Sequence, residues 1–234
     1  RPSSRKYPFI EFKPAREIGN DLLRIDGLSV AVGGGVAVGG WSAIINPGDK
    51  VAFVGTEALA KTELFRALAE EAAPASGSIK WGLTTSRSHF PKDNNAFFDG
   101  VELNLVDWLR QFSKEKSELF IRGFLGRMLF TGDESQKAAK VLSGGEKVRM
   151  MLARMMVLGA NVLILDEPTN HLDLESITSL NNALIDTKAS VLFSSQDHQF
   201  VQTVANRIIE IMPDGGIVDK LTTYDEYLET KQRK

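Results

Sequence analysis

The sequence predicts an α/β domain built on a mainly parallel sheet, and three observations carry that reading. Val162–Leu165 is a short continuous apolar run, the pattern of a strand buried on both faces, and it ends in two adjacent carboxylates, Asp166 and Glu167. Val51–Val54 is a second such run, which enters the loop Gly55–Thr62 and then the helix-forming stretch Glu63–Glu71. A long interval of mostly helical pattern separates Lys61 from Asp166, room enough for a helical subdomain inserted between core strands.

Composition sets the outer bounds. A chain of 234 residues holds one large domain, or one core with an inserted subdomain. Its 43% hydrophobic and 25% charged residues are the proportions of a globular protein, and no apolar run approaches the ~18 residues of a membrane helix. The lack of cysteine excludes disulfides and thiolate metal sites and fits a cytoplasmic location. The histidines, His89, His171 and His198, are too scattered for a zinc site. A net charge of −2 gives no overall nucleic-acid signature. Residues 1–24 do carry more bases than acids, which suits a solvated linker or an arm that touches RNA.

Along the chain, residues 1–20 mix Pro, Ser and charge without a period and read as linker. Leu22–Val38 is strand-like and ends in a glycine cluster; Trp41–Ile45 and Lys50–Val54 are further strands around the turn signal Asn46-Pro47-Gly48-Asp49. Ser78–Trp81 and Thr84–Phe90 are expected to complete an antiparallel β subdomain. Helices are expected over Leu103–Phe112 and Ser117–Leu129, the second packing Leu119, Phe120, Phe124, Leu125 and Met128 as a core stripe. Leu142-Ser143-Gly144-Gly145-Glu146 places two glycines and a hydroxyl ahead of a helix over Lys147–Leu158. Beyond Glu167 come a helix over Ile177–Leu184, a buried strand over Ser190–Ser194, a helix and strand within Phe200–Ile211, and a terminal helix over Tyr224–Lys231.

Two of these pieces point to phosphate chemistry. The stretch Gly55, Thr56, Glu57, Ala58, Leu59, Ala60, Lys61, Thr62, Glu63 meets the P-loop pattern at Gly55, Lys61 and Thr62, in the strand–loop–helix context that the pattern needs. Backbone N–H groups there would wrap phosphates, Lys61 would neutralise them and Thr62 would hold Mg²⁺. Ala60 replaces the second glycine; at positive φ it would cost about 1–2 kcal/mol, and in a helix nothing, which is the expectation. The amides after Ser143 are a second candidate phosphate site, at a helix start.

The stretch from Lys140 to Glu175 resembles the nucleotide-binding domain of ATP-binding-cassette (ABC) proteins, with LSGGE as the signature and Asp166-Glu167 closing the Walker B strand. DEPTNHLD, Asp166–Asp173, is similar to the ABC-F branch, whose members carry two cassettes, lack a membrane domain and mostly act on ribosomes. The opening RPSSRKYPFIEF resembles the end of the linker before a second ABC-F cassette, so the chain is expected to be the C-terminal half of a longer protein. The resemblance implies an α/β P-loop NTPase fold of the ABC ATPase type: mainly parallel central sheet, antiparallel β subdomain, helical subdomain over about 97–158. Linker would occupy 1–20 and the ATPase domain 21–234.

It also implies ATP and Mg²⁺ as cofactors, Thr62 and Asp166 as metal-holding residues, Glu167 as general base and Gln196 at the place of the switch histidine. Ser143, Gly144, Gly145 and Glu146 would act on the nucleotide of a second cassette, and Asp173 would lie in the loop joining the two sites. Besides Ala60, four positions depart from the family pattern. Val32 stands where an aromatic usually stacks on adenine, Lys92 where a glutamine binds Mg²⁺, Glu57 where asparagine is usual, and Gln196 where histidine is. A carboxylate at Glu57, about 7 Å from a phosphate charge, is repelled by roughly 2 kcal/mol. Two other readings stay open: the ATPase subunit of a membrane transporter, which LSGGE fits equally well, and an ATP-gated clamp with little hydrolysis.

Overall fold

The computed structural model describes residues 6–233; the part of the expected linker at 1–5 lies outside them. The chain divides into two compact units. A core unit comprises residues 14–92, 160–167 and 188–233, and a helical unit 6–13, 93–159 and 168–187.

In the core unit, β1 (Leu23–Val32) and β2 (Gly35–Ile45) form an antiparallel hairpin, joined on the other side of β1 by β4 (Ser76–Trp81). The glycine pair Gly39-Gly40 does not end a strand as expected. It lies within β2, where Gly40 takes φ 65° and the pairing with β1 shifts register. A six-stranded sheet follows the order β5 (Arg87–Phe90), β6 (Val162–Asp166), β7 (Ser190–Ser194), β3 (Lys50–Val54), β8 (Arg207–Ile211), β9 (Ile217–Lys220). Every neighbouring pair is parallel except β8 and β9. The stretch 84–90 therefore corrects the sequence reading. Its strand pairs with β6 at the edge of this sheet and adds nothing to the antiparallel one, because strand partnership is set far along the chain and not by local pattern.

The helix after β3, α1 (Ala58–Leu68), starts five residues earlier than expected and ends sooner. Ala58-Leu59-Ala60 are strong helix formers, and they convert the second half of the loop into helix. Phe65 of α1, Phe53 of β3 and Trp41 of β2 meet edge to face, with centroids 5.2 and 6.1 Å apart. With Leu64, Leu68, Ile25, Leu28, Ile164, Leu192 and Ile209 they form one core that locks the strand and helix flanking the loop. Two more helices complete the unit, α6 (His198–Val204) and α7 (Tyr224–Gln232).

The helical unit holds α2 (Leu105–Arg110), α3 (Glu118–Arg127), α4 (Gly144–Leu158) and α5 (Leu174–Asp186). Trp108, stacked on Phe98 with centroids 5.0 Å apart, sits at its centre. The stripe expected on the second helix is only half right. Leu125 and Met128 are buried, but Leu119 is 85% exposed and Phe120 is 40% exposed, and Ile121 takes the inward place. The helix begins at Glu118 behind its Ser117 cap, and the buried phase runs through Ile121 and Leu125, one turn apart.

Candidate functional site

Strand order assembles the site. β7 lies between β3 and β6, so the carboxyl ends of three parallel strands deliver Gly55, Ser194 and Asp166-Glu167 side by side, where ligands of open α/β sheets bind. Gly55 has φ 119°, and a Cβ there would meet the Ile211 carbonyl oxygen at 2.4 Å, so only glycine fits. Glu57 is the N-cap residue of α1 but makes no side-chain cap. Its Oε1 instead accepts from Thr56 Oγ1 at 3.1 Å. No side chain closes the start of α1, which leaves amides of its first turn to an anionic ligand. Ala60 is helical and buried, so alanine there costs nothing.

Behind the loop, Lys61 is buried and donates to the Gly55 carbonyl at 3.0 Å, with its Nζ 4.0 Å from Glu167 Oε1. Thr62 Oγ1 donates to Asp166 Oδ2 at 2.7 Å, and Ser194 Oγ donates to Asp166 Oδ1 at 3.2 Å. The Glu167 amide donates to Ser194 Oγ at 3.1 Å, and the Gln196 amide donates to Glu167 Oε2 at 3.1 Å. Glu167 itself is buried at φ 51°, a left-handed conformation that a glutamate adopts only under constraint. Burial pushes its carboxyl above the usual range; Lys61 opposes, Asp166 adds to the rise, and the Gln196 amide and Lys92 oppose more weakly.

These residues suit a hard divalent cation shared with phosphate oxygens. A hydroxyl and a carboxylate converge at Thr62 and Asp166, and among the described residues no cluster of three or more His, Cys, Asp or Glu could cage a metal by protein ligands alone. Mg²⁺ is usually held in that way, by one or two carboxylates plus phosphate. Val32 stands apart from this group, half-buried opposite Gly35 at the tip of the β1–β2 hairpin, with Val36 exposed beside it.

In the helical unit, Ser143 is the N-cap of α4. Its Oγ accepts from the Glu146 amide at 3.3 Å, while Glu146 Oε1 accepts from the Ser143 amide at 3.1 Å. Partial burial pushes the Glu146 carboxyl up, but hydrogen bonds from Ser143 and the nearby Lys137 outweigh it and hold the group below the usual range. Glu146 is thus occupied as a cap, whereas Ser143 and Gly144 are exposed and Gly145 is half-buried. A Cβ on Gly145 would stand 3.0 Å from the His171 carbonyl oxygen. Asp173 caps α5, its Oδ1 accepting from the Ser176 amide at 2.8 Å; those hydrogen bonds hold its carboxyl low.

Sequence reasoning missed Ser194, which ties Asp166 to Glu167, and Lys92 as a charge acting on Glu167. The β7 strand was legible, but its place beside β6, with Ser194 paired to Asp166, was not.

A glycine-led loop and helix start at the sheet's carboxyl edge, with a second glycine-led helix start at α4, define a P-loop nucleotide-binding fold of the cassette type. A profile of the ABC transporter family matches residues 38–170, more than half of the chain, and the protein belongs to that family as an ATP-binding cassette. It is 60% identical over 230 residues to the uncharacterized ABC transporter ATP-binding protein YkpA of Bacillus subtilis, covering 98% of this chain and 42% of that protein. It is 29% identical over 226 residues to the energy-dependent translational throttle protein EttA of Escherichia coli K12, covering 94% of this chain and 40% of the relative. The chain thus spans about two-fifths of the length of these curated relatives. A solved chain described as a metal-chelate type ABC transporter in an inward-facing conformation superposes with a TM-score of 0.70. It covers 86% of this chain and 84% of that one at 22% identity, a likeness of fold alone.

Proposed function

We propose that this ATP-binding cassette hydrolyses ATP and is the second of two cassettes in an ABC-F type protein acting on the ribosome. In that reading residues 1–20 end the inter-cassette linker, 21–234 form the cassette, and about 97–158 its helical subdomain. The observation that carries hydrolysis is Glu167, a buried carboxylate held in a strained backbone and fixed by the Gln196 amide beside Lys61. Its raised proton affinity suits a base that accepts a proton from water.

The reaction is ATP + H₂O to ADP and phosphate. Amides from Gly55 to Glu63 would hold the phosphates, Lys61 would leave the Gly55 carbonyl to neutralise them, and Thr62 and Asp166 would hold Mg²⁺, which would supply neutralisation of phosphate charge. Glu167 takes the proton of the attacking water, and the Gln196 side chain, exposed at the site's rim, orients it by a hydrogen bond. Ser143, Gly144 and Gly145 serve the nucleotide of the other cassette, and Asp173 fixes the loop between sites. The ribosome is supported by the DEPTNHLD run and by the E. coli relative, a translational throttle protein. Among the described residues no helix is long and apolar enough to cross a membrane.

Glu167→Gln in the full-length protein tests this. Phosphate release attributable to this site should fall at least about 10²-fold, and the ATP-loaded variant should sediment with ribosomes. Turnover that survives the substitution removes the hydrolytic reading. Loss of turnover without ribosome association leaves an ATPase of another branch.

A further inference from the structure

From the placement of the C-terminal helix we infer that α7 is a positioning strut for the hydrolytic site, acting through the His198–Asp225 pair. The inference rests on the proposed role of Glu167 and Gln196. α6 begins at His198, two residues after Gln196, whose amide grips the Glu167 carboxylate. Its N-cap is Asp197, the neighbour of Gln196, with Oδ1 accepting from the Phe200 amide at 2.9 Å. A helix of 7 residues has too few internal hydrogen bonds to hold itself, so its position must be set from outside.

α7 supplies that support at both ends. At its start, His198 Nε2 donates to Asp225 Oδ1 at 2.7 Å, the Asp225 amide donates to Gln202 Oε1 at 2.8 Å, and the His198 and Tyr224 rings lie 5.0 Å apart. Further along, the buried Tyr227 hydroxyl donates to Glu210, and Lys231 Nζ bonds Glu210 Oε1 at 2.5 Å. Glu210 is on β8, paired with Val54 of β3 and next to Ile211, the residue whose carbonyl abuts Gly55. One helix therefore braces the two elements that place Gln196 and Gly55. The route to the carboxylate is short: Asp225, His198, the Asp197 cap, the Gln196 amide, Glu167.

The pair that makes the connection is exposed, 54% at His198 and 56% at Asp225. Exposed pairs add little to folding, so a contact held here can be removed without unfolding the domain. A double-mutant cycle measures the coupling along this route.

The experiment uses the full-length protein and reads the part of phosphate release that Glu167→Gln abolishes. His198→Ala and Asp225→Ala should each lower it about threefold to tenfold, and the double variant no further than either alone. His198→Gln, whose amide nitrogen reaches the place of Nε2, should restore most of the rate. ATP affinity should stay within about twofold, and the melting temperature within about 4 °C. Additive losses, failure of glutamine to rescue, or unchanged turnover in both single variants would overturn the strut. If instead Glu167→Gln leaves turnover intact, the reading of the catalytic site fails and the strut that rests on it falls with it; a Glu167-dependent turnover that neither His198→Ala nor Asp225→Ala lowers overturns the strut alone.

Discussion

Two helices in this protein present backbone amides at their starts, α1 and α4, and they are built in opposite ways. At α1 the cap residue Glu57 makes no cap bond, the preceding Gly55 is sterically obligatory, and buried Lys61 and Glu167 stand behind. At α4 a reciprocal capping box closes the first turn, and Ser143 and Gly144 are exposed. The first start is incomplete by itself and gains from an anion. The second is satisfied by itself and offers spare donors on a surface. That contrast fits one site that holds a nucleotide and does chemistry on it, and another that recognises a nucleotide brought by a second cassette.

The sharpest way to break the contrast is to add one methyl at each start. Gly55→Ala drives a Cβ against the Ile211 carbonyl at a φ that alanine avoids, so at least about 3 kcal/mol of stability should go, with ATP binding. Gly145→Ala meets the His171 carbonyl at 3.0 Å, a contact that a few tenths of an ångström relieve. It should fold, bind ATP normally and fail only in the two-cassette protein. Denaturant melts and calorimetry on both variants check this; equal damage at the two positions would end the distinction.

These differences show what could be read from the sequence and what could not. β6 was legible to within one residue because a strand buried on both faces writes itself as an unbroken apolar run. That Gly55 and the Ser143-Gly144-Gly145 run each lead into a helix, and that Asp166-Glu167 close a buried strand, was legible from residue type and spacing. The start of α1 was not, because Ala58-Leu59-Ala60 carry no cap signal. β9, a short half-buried strand after the turn at 213–216, was not anticipated at all, since it gains its identity from pairing with β8. Ser194 is the instructive miss. Its chemistry was visible and its neighbours were not, and a site gathered from three strand ends depends on strand order.

A smaller effect sharpens the picture of α1. Glu57 places a carboxylate at the mouth of the loop, its Oε1 accepting from Thr56 Oγ1. Glu57→Asn removes that charge, and ATP should bind up to about thirtyfold more tightly, given roughly 2 kcal/mol of repulsion at most. The counterpart acid at α4, Glu146, is consumed by capping, so Glu146→Gln should leave ATP affinity of this cassette unchanged. Titration calorimetry at two ionic strengths compares them, and an unaltered affinity in Glu57→Asn removes the electrostatic argument.

The last and smallest expected effect concerns Glu167 without any nucleotide. Burial lifts its carboxyl above the ordinary value, so the folded chain holds this proton more tightly than the unfolded chain does. Stability from this group is therefore fully present at pH below the ordinary glutamate range and is lost as pH rises through the raised value. At neutral pH the ionised carboxylate is a cost that the fold tolerates for its use. Glu167→Gln removes the ionisation but keeps the shape, so its melting temperature should exceed that of the parent at pH 7.5, and the gap should close as pH falls toward 4. Glu167→Gly removes the left-handed strain as well, about 1 kcal/mol, and should add a gain that does not vary with pH. A gap for glutamine that is flat with pH, or that widens in acid, would mean that Lys61 and the Gln196 amide outweigh burial and that Glu167 is held as a stable carboxylate.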